Sequence, residues 1–74
     1  MMSFGEVVAH LLRQRGWSQA EFSRVSGLST GYIAQLVTGM IPNPTWSKAC
    51  TIADALGVTL QEIRDLMEGR APAE

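Results

Sequence analysis

Residues 17–37 read WSQAEFSRVSGLSTGYIAQLV and predict two short helices joined by a tight turn. Ser18 and Glu21 have the spacing of a capping box, in which each side chain bonds a backbone amide that the other residue leaves free. Gly27 follows a helix-length stretch and can end the first helix in the left-handed conformation. Ser29 can cap the second helix. The segment therefore has the spacing of a helix-turn-helix unit.

Similar start and stop signals extend outward from this segment in both directions. Two further capping boxes begin with Ser3 and Thr59, and Thr45 provides a simpler N-cap. The glycines that follow helix-length stretches are Gly16, Gly27, Gly39, Gly57 and Gly69. Together these signals predict no strand and five helices, over residues 4–15, 19–26, 30–38, 46–56 and 60–68.

Apolar residues recur at helical spacing and predict one buried face on each helix. The residues expected in the core include Phe4, Val8, Leu11, Leu12, Ile33, Leu36, Trp46, Ala49, Cys50, Ile52, Ala53 and Leu56. A chain of 74 residues has room for one such core. We therefore predict a single all-α domain over residues 1–69 and a flexible C-terminal tail over residues 70–74.

The composition argues against several classes of site. The only cysteine is Cys50 and the only histidine is His10, so the chain supplies neither an internal disulfide nor a four-ligand metal site. His10 also lacks a convincing acid partner for catalysis. No segment approaches the roughly 20 apolar residues of a membrane span. We expect a cytoplasmic protein that is not an enzyme and uses no cofactor and no metal.

Net charge by itself argues against a nucleic-acid partner. The formal charge is −1 and the isoelectric point is about 5.7, whereas DNA-binding domains usually carry a basic excess. Most of the acids, however, follow residue 40, so any DNA-facing surface is expected in the N-terminal half. Because residues 30–38 contain no charge, the cations available to contact phosphate are Arg13, Arg15, Arg24 and Lys48.

The order and spacing of these residues resemble the Cro/cI repressor (XRE) family. The resemblance covers nearly the whole chain and is carried by Trp17–Ser23, Ser26–Ser29, Tyr32-Ile33, Leu36, Gly39, Asn43-Pro44 and Ile52–Val58. It implies a five-helix, lambda-repressor-like fold that binds double-stranded DNA, with helix 30–38 in the major groove and helix 19–26 across the backbone. It further implies a small transcriptional regulator, expected to be a repressor, with no small-molecule substrate.

Individual residues take expected roles from this resemblance. Thr30, Gly31 and Gln35 fall on base-reading positions, where glutamine can pair with adenine and threonine can contact thymine. Gln19 matches a phosphate-contacting glutamine, and Tyr32 matches a position that contacts phosphate or sugar. The alternative is that Gln19 and Gln35 are ordinary exposed residues and that Tyr32 is a half-buried ring over the second helix.

Gly31 is unusual because it stands inside a predicted helix. Glycine in that position costs about 1 kcal/mol relative to alanine. Either the fold tolerates this cost, or the missing side chain lets the backbone approach the floor of a DNA groove. We favour close approach.

Two departures from the family pattern are informative. Leu12 and Val37 stand where many relatives carry a buried Arg–Glu pair, and replacing both partners by apolar residues is often neutral or stabilising. Met40 and Ile41 stand where relatives often have Lys or Arg for phosphate, and we expect them to be exposed apolar surface.

A small number of phosphate contacts favours a homodimer. Two-fold dimers place their recognition helices about 34 Å apart on palindromic half-sites. In the family the last helix commonly supplies the dimer contact, which assigns this role to Leu66 and Met67 and, less directly, to Leu60 and Ile63. The alternative is that these side chains cover the core.

The competing interpretation is a protein-interaction module that keeps this fold but no longer binds DNA through this face, because a fold does not fix a function. Its support is the negative charge, the uncharged helix 30–38 and an expected apolar patch of Val25, Met40 and Ile41.

Overall fold

The computed structural model describes residues 2–69 and shows, within them, five helices and no strand. The helices are α1 (Phe4–Arg15), α2 (Gln19–Ser26), α3 (Thr30–Val37), α4 (Trp46–Leu56) and α5 (Leu60–Met67). The predicted all-α, five-helix fold is confirmed, although α3 and α5 each end one residue earlier than predicted. The flexible tail predicted for residues 70–74 lies outside the described residues.

Reciprocal capping boxes begin α1, α2 and α5, as the spacing predicts. The N-cap hydroxyl accepts the N–H of the third helical residue, whose carboxylate accepts the N-cap N–H in return, at Ser3–Glu6, Ser18–Glu21 and Thr59–Glu62. In α1 the hydrogen bonds from the backbone and hydroxyl of Ser3 lower the pKa of Glu6. This carboxylate therefore stabilises α1 fully above the ordinary pKa of glutamate, and the contribution is lost as the pH falls through the lowered value.

The starts of α3 and α4 are different, because neither helix has an acid in its first turn. Ser29 accepts the N–H of Tyr32 at 3.1 Å, and Thr45 accepts the N–H of Lys48 at 3.4 Å. Tyr32 and Lys48 thus occupy the position that glutamate occupies in the other three helices. No carboxylate from the same first turn offsets the positive end of the helix dipole in α3 or α4.

The turn between α2 and α3 is held by one glycine and two serines. Gly27 ends α2 at a φ of 78°, which residues with a Cβ rarely adopt. The hydroxyl of Ser23 donates to the carbonyl of Leu28, and the N–H of Leu28 donates to Ser26 Oγ at 3.1 Å. The other glycines predicted to end helices also have positive φ, namely Gly16, Gly39, Gly57 and Gly69.

One core joins all five helices. Helix α1 packs against α3 and α5, α2 packs against α3 and α4, and α4 packs against α5. The largest fully buried side chains are Phe22, Ile33, Leu36, Ile52, Ile63, Val7 and Val8. Leu12 is buried and Val37 packs against the core, so apolar contact occupies the place of the family's buried ion pair.

The prediction that Trp46 lies in the core is wrong, because 76% of this residue is exposed. It is the first residue of α4, and helical side chains lean toward the N-terminus of their helix. An indole at this position therefore has little of its own helix to pack against. Cys50 is half-buried, whereas Ala49, Ile52, Ala53 and Leu56 are buried as predicted.

Helices α1 and α3 approach each other closely at Gly5. A Cβ on Gly5 would lie 1.9 Å from the carbonyl oxygen of Leu36 and 2.8 Å from its carbonyl carbon. Both are backbone atoms, so no side-chain rotation would relieve the overlap. Only a glycine lets α1 support α3 from this side, a requirement that the sequence analysis missed.

Arg15 joins the end of α1 to the end of α4. Its guanidinium donates to the carbonyl of Leu11 at 3.3 Å and to the carbonyl of Leu56 at 2.6 Å. A cation at the last carbonyls of a helix is favoured by the helix dipole as well as by the hydrogen bond. Arg15 is therefore part of the scaffold.

Candidate nucleic-acid interface

The outward face of α3 carries the three predicted base-reading residues. Thr30, Gly31 and Gln35 are all exposed, while Ile33 and Leu36 on the opposite face are fully buried. This division follows the 3.6-residue period of the helix. Because the buried face is anchored on α1 and α2, the exposed face is held away from the core.

The chemistry of this face is polar and uncharged. Thr30 and Gln35 offer a hydroxyl and an amide, which can both donate and accept hydrogen bonds. The hydroxyl of Thr38 instead donates to the carbonyl of Ala34 at 2.8 Å, within α3 and its cap. A helix about 10–12 Å across fits a major groove about 12 Å wide, where such groups can meet base edges.

Gly31 lies in open space. A Cβ at this position would have no neighbouring atom within 4 Å, and its φ is not positive. Neither packing nor backbone conformation within the described chain therefore requires glycine here. Two explanations are therefore left for a residue that weakens the helix: the fold tolerates its cost, or the backbone approaches an external surface here.

Three of the predicted phosphate-contacting residues are exposed on α1 and α2, the two helices that pack against α3. Gln19 is exposed at the first position of α2, and Arg24 is exposed in its last turn. Arg13 is exposed in the last turn of α1. Arg15 is separated from this group by its hydrogen bonds to Leu11 and Leu56, which employ its guanidinium within the fold.

Tyr32 and Lys48 contact each other across α3 and α4. The ammonium Nζ of Lys48 lies 5.4 Å from the centroid of the Tyr32 ring, within the range of a cation–π interaction. Burial raises the pKa of Tyr32 further above neutral pH, so the hydroxyl stays a hydrogen-bond donor as in any neutral tyrosine. Both residues are among those predicted to contact the DNA backbone, but their contact with each other could not be predicted from spacing, because they belong to different helices.

The residues predicted for dimerisation are partly used by the fold. Leu66 and Met67 are half-buried and pack against the core, and the carbonyl of Met67 accepts the N–H of Met2 at 3.0 Å. Ile63 is 1% exposed and lies within the core. Leu60 is half-buried as well, so the uncovered parts of Leu60, Leu66 and Met67 are what these four residues offer to a second chain.

The apolar patch expected at Val25, Met40 and Ile41 is smaller than predicted. Met40 is 73% exposed and Val25 is 56% exposed. Ile41 is half-buried against the core, and its N–H donates to the carbonyl of Gln35 at 3.2 Å. The expectation that Ile41 is exposed is wrong because the chain folds back onto the end of α3.

A helix-turn-helix family model of the Cro/cI type matches residues 8–63, which include the last two-thirds of α1 and all of α2, α3 and α4. The chain belongs to the Cro/cI (XRE) helix-turn-helix family. This is a family of DNA-binding transcription regulators. The matched range includes both the turn at Gly27 and the exposed face of α3. No curated protein matches the chain.

Within residues 2–69, no three His, Cys, Asp or Glu side chains form a group that can hold a metal ion. None of the helices described is both long and apolar enough to cross a membrane.

Proposed function

We propose that the protein binds double-stranded DNA in a sequence-specific manner and acts as a small transcriptional repressor. Helix α3 enters the major groove, with Thr30, Gly31 and Gln35 toward the base edges. The observation that carries this proposal is the outward, polar face of α3, whose opposite side is buried, in a member of a family of DNA-binding regulators. Base edges are read by hydrogen bonds and apolar contacts, which this face can provide.

Backbone contacts come from residues on the surrounding helices. Gln19, Arg13, Arg24 and Lys48 meet phosphate or sugar and set the orientation of α3, and the ring of Tyr32 on α3 lies beside Lys48. Only three cations are among them, Arg13, Arg24 and Lys48, and each phosphate neutralised by a cation adds only about 0.9 to the slope of log affinity against log salt. We therefore expect modest affinity from one chain.

A homodimer would strengthen binding by engaging two half-sites. The exposed parts of Leu66 and Met67 at the end of α5 would form the contact, and two-fold symmetry would place two copies of α3 about 34 Å apart. A palindromic site with half-sites about ten base pairs apart follows from this arrangement.

Selection from a randomised duplex pool at low salt, followed by salt titration, tests the proposal. With the enriched duplex, Gln35→Ala should weaken binding about tenfold and leave non-specific binding nearly unchanged, because it removes a base contact. Arg24→Ala is the matched control for a phosphate contact. It should weaken both kinds of binding and lower the salt slope by about one unit. Negligible effects from both variants would contradict the assigned face.

The second candidate is a protein-interaction module, favoured by the exposure of Met40 and Trp46, which are 73% and 76% exposed. Large exposed apolar side chains tend to mark partner surfaces. A selection that enriches no duplex, with only weak and salt-sensitive binding, would favour this candidate. Met40→Glu would then abolish partner binding without unfolding the domain.

A further inference from the structure

Tyr32 and Lys48 occupy equivalent positions in two adjacent helices. Each is the third residue after an N-cap, and each donates its backbone N–H to that cap. In α1, α2 and α5 the same position holds a glutamate that completes a capping box. Here the two side chains contact each other instead, with the ammonium 5.4 Å from the ring centroid.

The contact contributes little to folding by itself. A cation in the first turn of α4 faces the positive end of the helix dipole, which is unfavourable. A cation–π contact at an exposed site gains a similar amount, and holding a lysine in one place costs side-chain entropy. Local helix stability therefore does not explain why Lys48 stands at this position.

The location of the pair relates it to the proposed interface. Tyr32 is half-buried at the edge of the outward face of α3, one turn before Gln35, and its backbone is fixed by Ser29. Lys48 is exposed and belongs to α4. The Lys48 ammonium therefore lies over a ring on the flank of the helix that carries Thr30, Gly31 and Gln35.

We propose that Tyr32 is a positioning residue for Lys48, because its ring holds the ammonium where a DNA phosphate beside α3 would meet it. This inference rests on the proposed DNA-binding function. The lysine loses side-chain freedom before DNA arrives, so less entropy is lost when the phosphate contact forms. In this role the aromatic ring of Tyr32 contacts the ammonium, and the hydroxyl is not needed.

The pair is tested first without DNA, by NMR of the free protein. Ring currents should shift the ε-methylene protons of Lys48 upfield in the wild type. The shift should persist in Tyr32→Phe, which keeps the ring, and disappear in Tyr32→Leu. An unshifted Lys48 in the wild type would overturn the proposal whether or not the protein binds DNA.

A double-mutant cycle then tests the effect on DNA, using the duplex enriched by selection. Lys48→Met should lower the salt slope by about one unit. Tyr32→Leu should weaken binding several-fold in the wild-type background but cause little further loss in Lys48→Met. Tyr32→Phe should retain wild-type affinity, and thermal unfolding identifies any variant that fails to fold.

Arg24→Met provides the matched control, because Arg24 lies on α2. Tyr32→Leu should keep its full cost in that background. An equal cost in the Lys48→Met background would show that Tyr32 acts independently of Lys48, and a large loss in Tyr32→Phe would assign the effect to the hydroxyl. Either result overturns the proposal. If the Lys48 protons are shifted in the wild type but the protein binds no DNA, the contact between Tyr32 and Lys48 is real. Its role in binding DNA, and the proposed function, would then both be wrong.

Discussion

Gly5 and Gly31 are the same residue type inside two helices, yet they have opposite surroundings. Gly5 lies beneath the carbonyl of Leu36, and a Cβ would come within 1.9 Å of that oxygen. Gly31 faces open space, with nothing within 4 Å of a Cβ. Both lower helix propensity by about 1 kcal/mol relative to alanine. Packing within the protein explains why position 5 is a glycine. For position 31 we instead propose that a ligand, DNA, explains the glycine.

Two arginines in the last turn of α1 show a similar difference, because one is hydrogen-bonded within the fold and the other is exposed. Arg15 donates to the carbonyls of Leu11 and Leu56 and joins α1 to α4. Arg13 is exposed. Proximity in sequence thus does not imply a shared role, and each pair of residues allows the scaffold to be tested separately from the interface.

The largest effect is expected for Gly5→Ala. The added methyl overlaps backbone atoms of Leu36, so α1 and α3 must separate. We expect a loss of about 3 kcal/mol in the free energy of unfolding, at the upper end of the usual cost of overpacking. Chemical denaturation measures this loss directly. An unchanged midpoint would show that the α1–α3 crossing adjusts more easily than the structure indicates.

A smaller loss is expected for Arg15→Met, which keeps much of the aliphatic stem but removes the hydrogen bonds to α1 and α4. The free energy of unfolding should fall by about 1.5 kcal/mol, a typical value for hydrogen bonds to a charged group. The salt slope of DNA binding should remain unchanged.

Arg13→Met is the matched control for Arg15→Met. It should change stability by less than about 0.5 kcal/mol, as exposed substitutions usually do. It should lower the salt slope by about one unit if Arg13 contacts a phosphate. If Arg13→Met instead lowered stability and Arg15→Met instead lowered the salt slope, Arg15 would belong to the interface and Arg13 to the scaffold.

A modest change in stability is expected for Gly31→Ala, and its sign is opposite to that of Gly5→Ala. Alanine should stabilise the protein by about 0.5–1 kcal/mol, because it favours the helix and meets no neighbour. Affinity for the enriched duplex should nevertheless fall, by about tenfold if the methyl meets the groove at a cost of about 1.4 kcal/mol. A more stable variant with unchanged affinity would show that glycine is merely tolerated at this position.

Local signals allowed most of the fold to be predicted from sequence. Capping pairs such as Ser18–Glu21 and terminal glycines such as Gly27 act over a few residues, so their spacing can be read directly. The exposed and buried faces of α3 followed from helical periodicity. Trp46 was misassigned because periodicity describes the direction around a helix, whereas its exposure depends on its place at the helix end.

Contacts between helices account for what the sequence did not reveal. The Arg15–Leu56 hydrogen bond and the Tyr32–Lys48 contact each join residues distant along the chain, and no spacing rule predicts them. Gly5 did carry a usable signal, since a glycine in an amphipathic first turn often marks close packing. The predicted roles of Thr30 and Gln35 came from resemblance, and their exposure is compatible with those roles.

The central claim is that the outward face of α3 binds DNA, and amide chemical-shift mapping with the selected duplex tests it most directly. We predict that the largest changes occur at residues 30–35 and at Lys48, with smaller changes at Gln19 and Arg24 and almost none at Gly5. The largest changes at Met40 and Trp46, or along α5 with α3 unaffected, would contradict the claim.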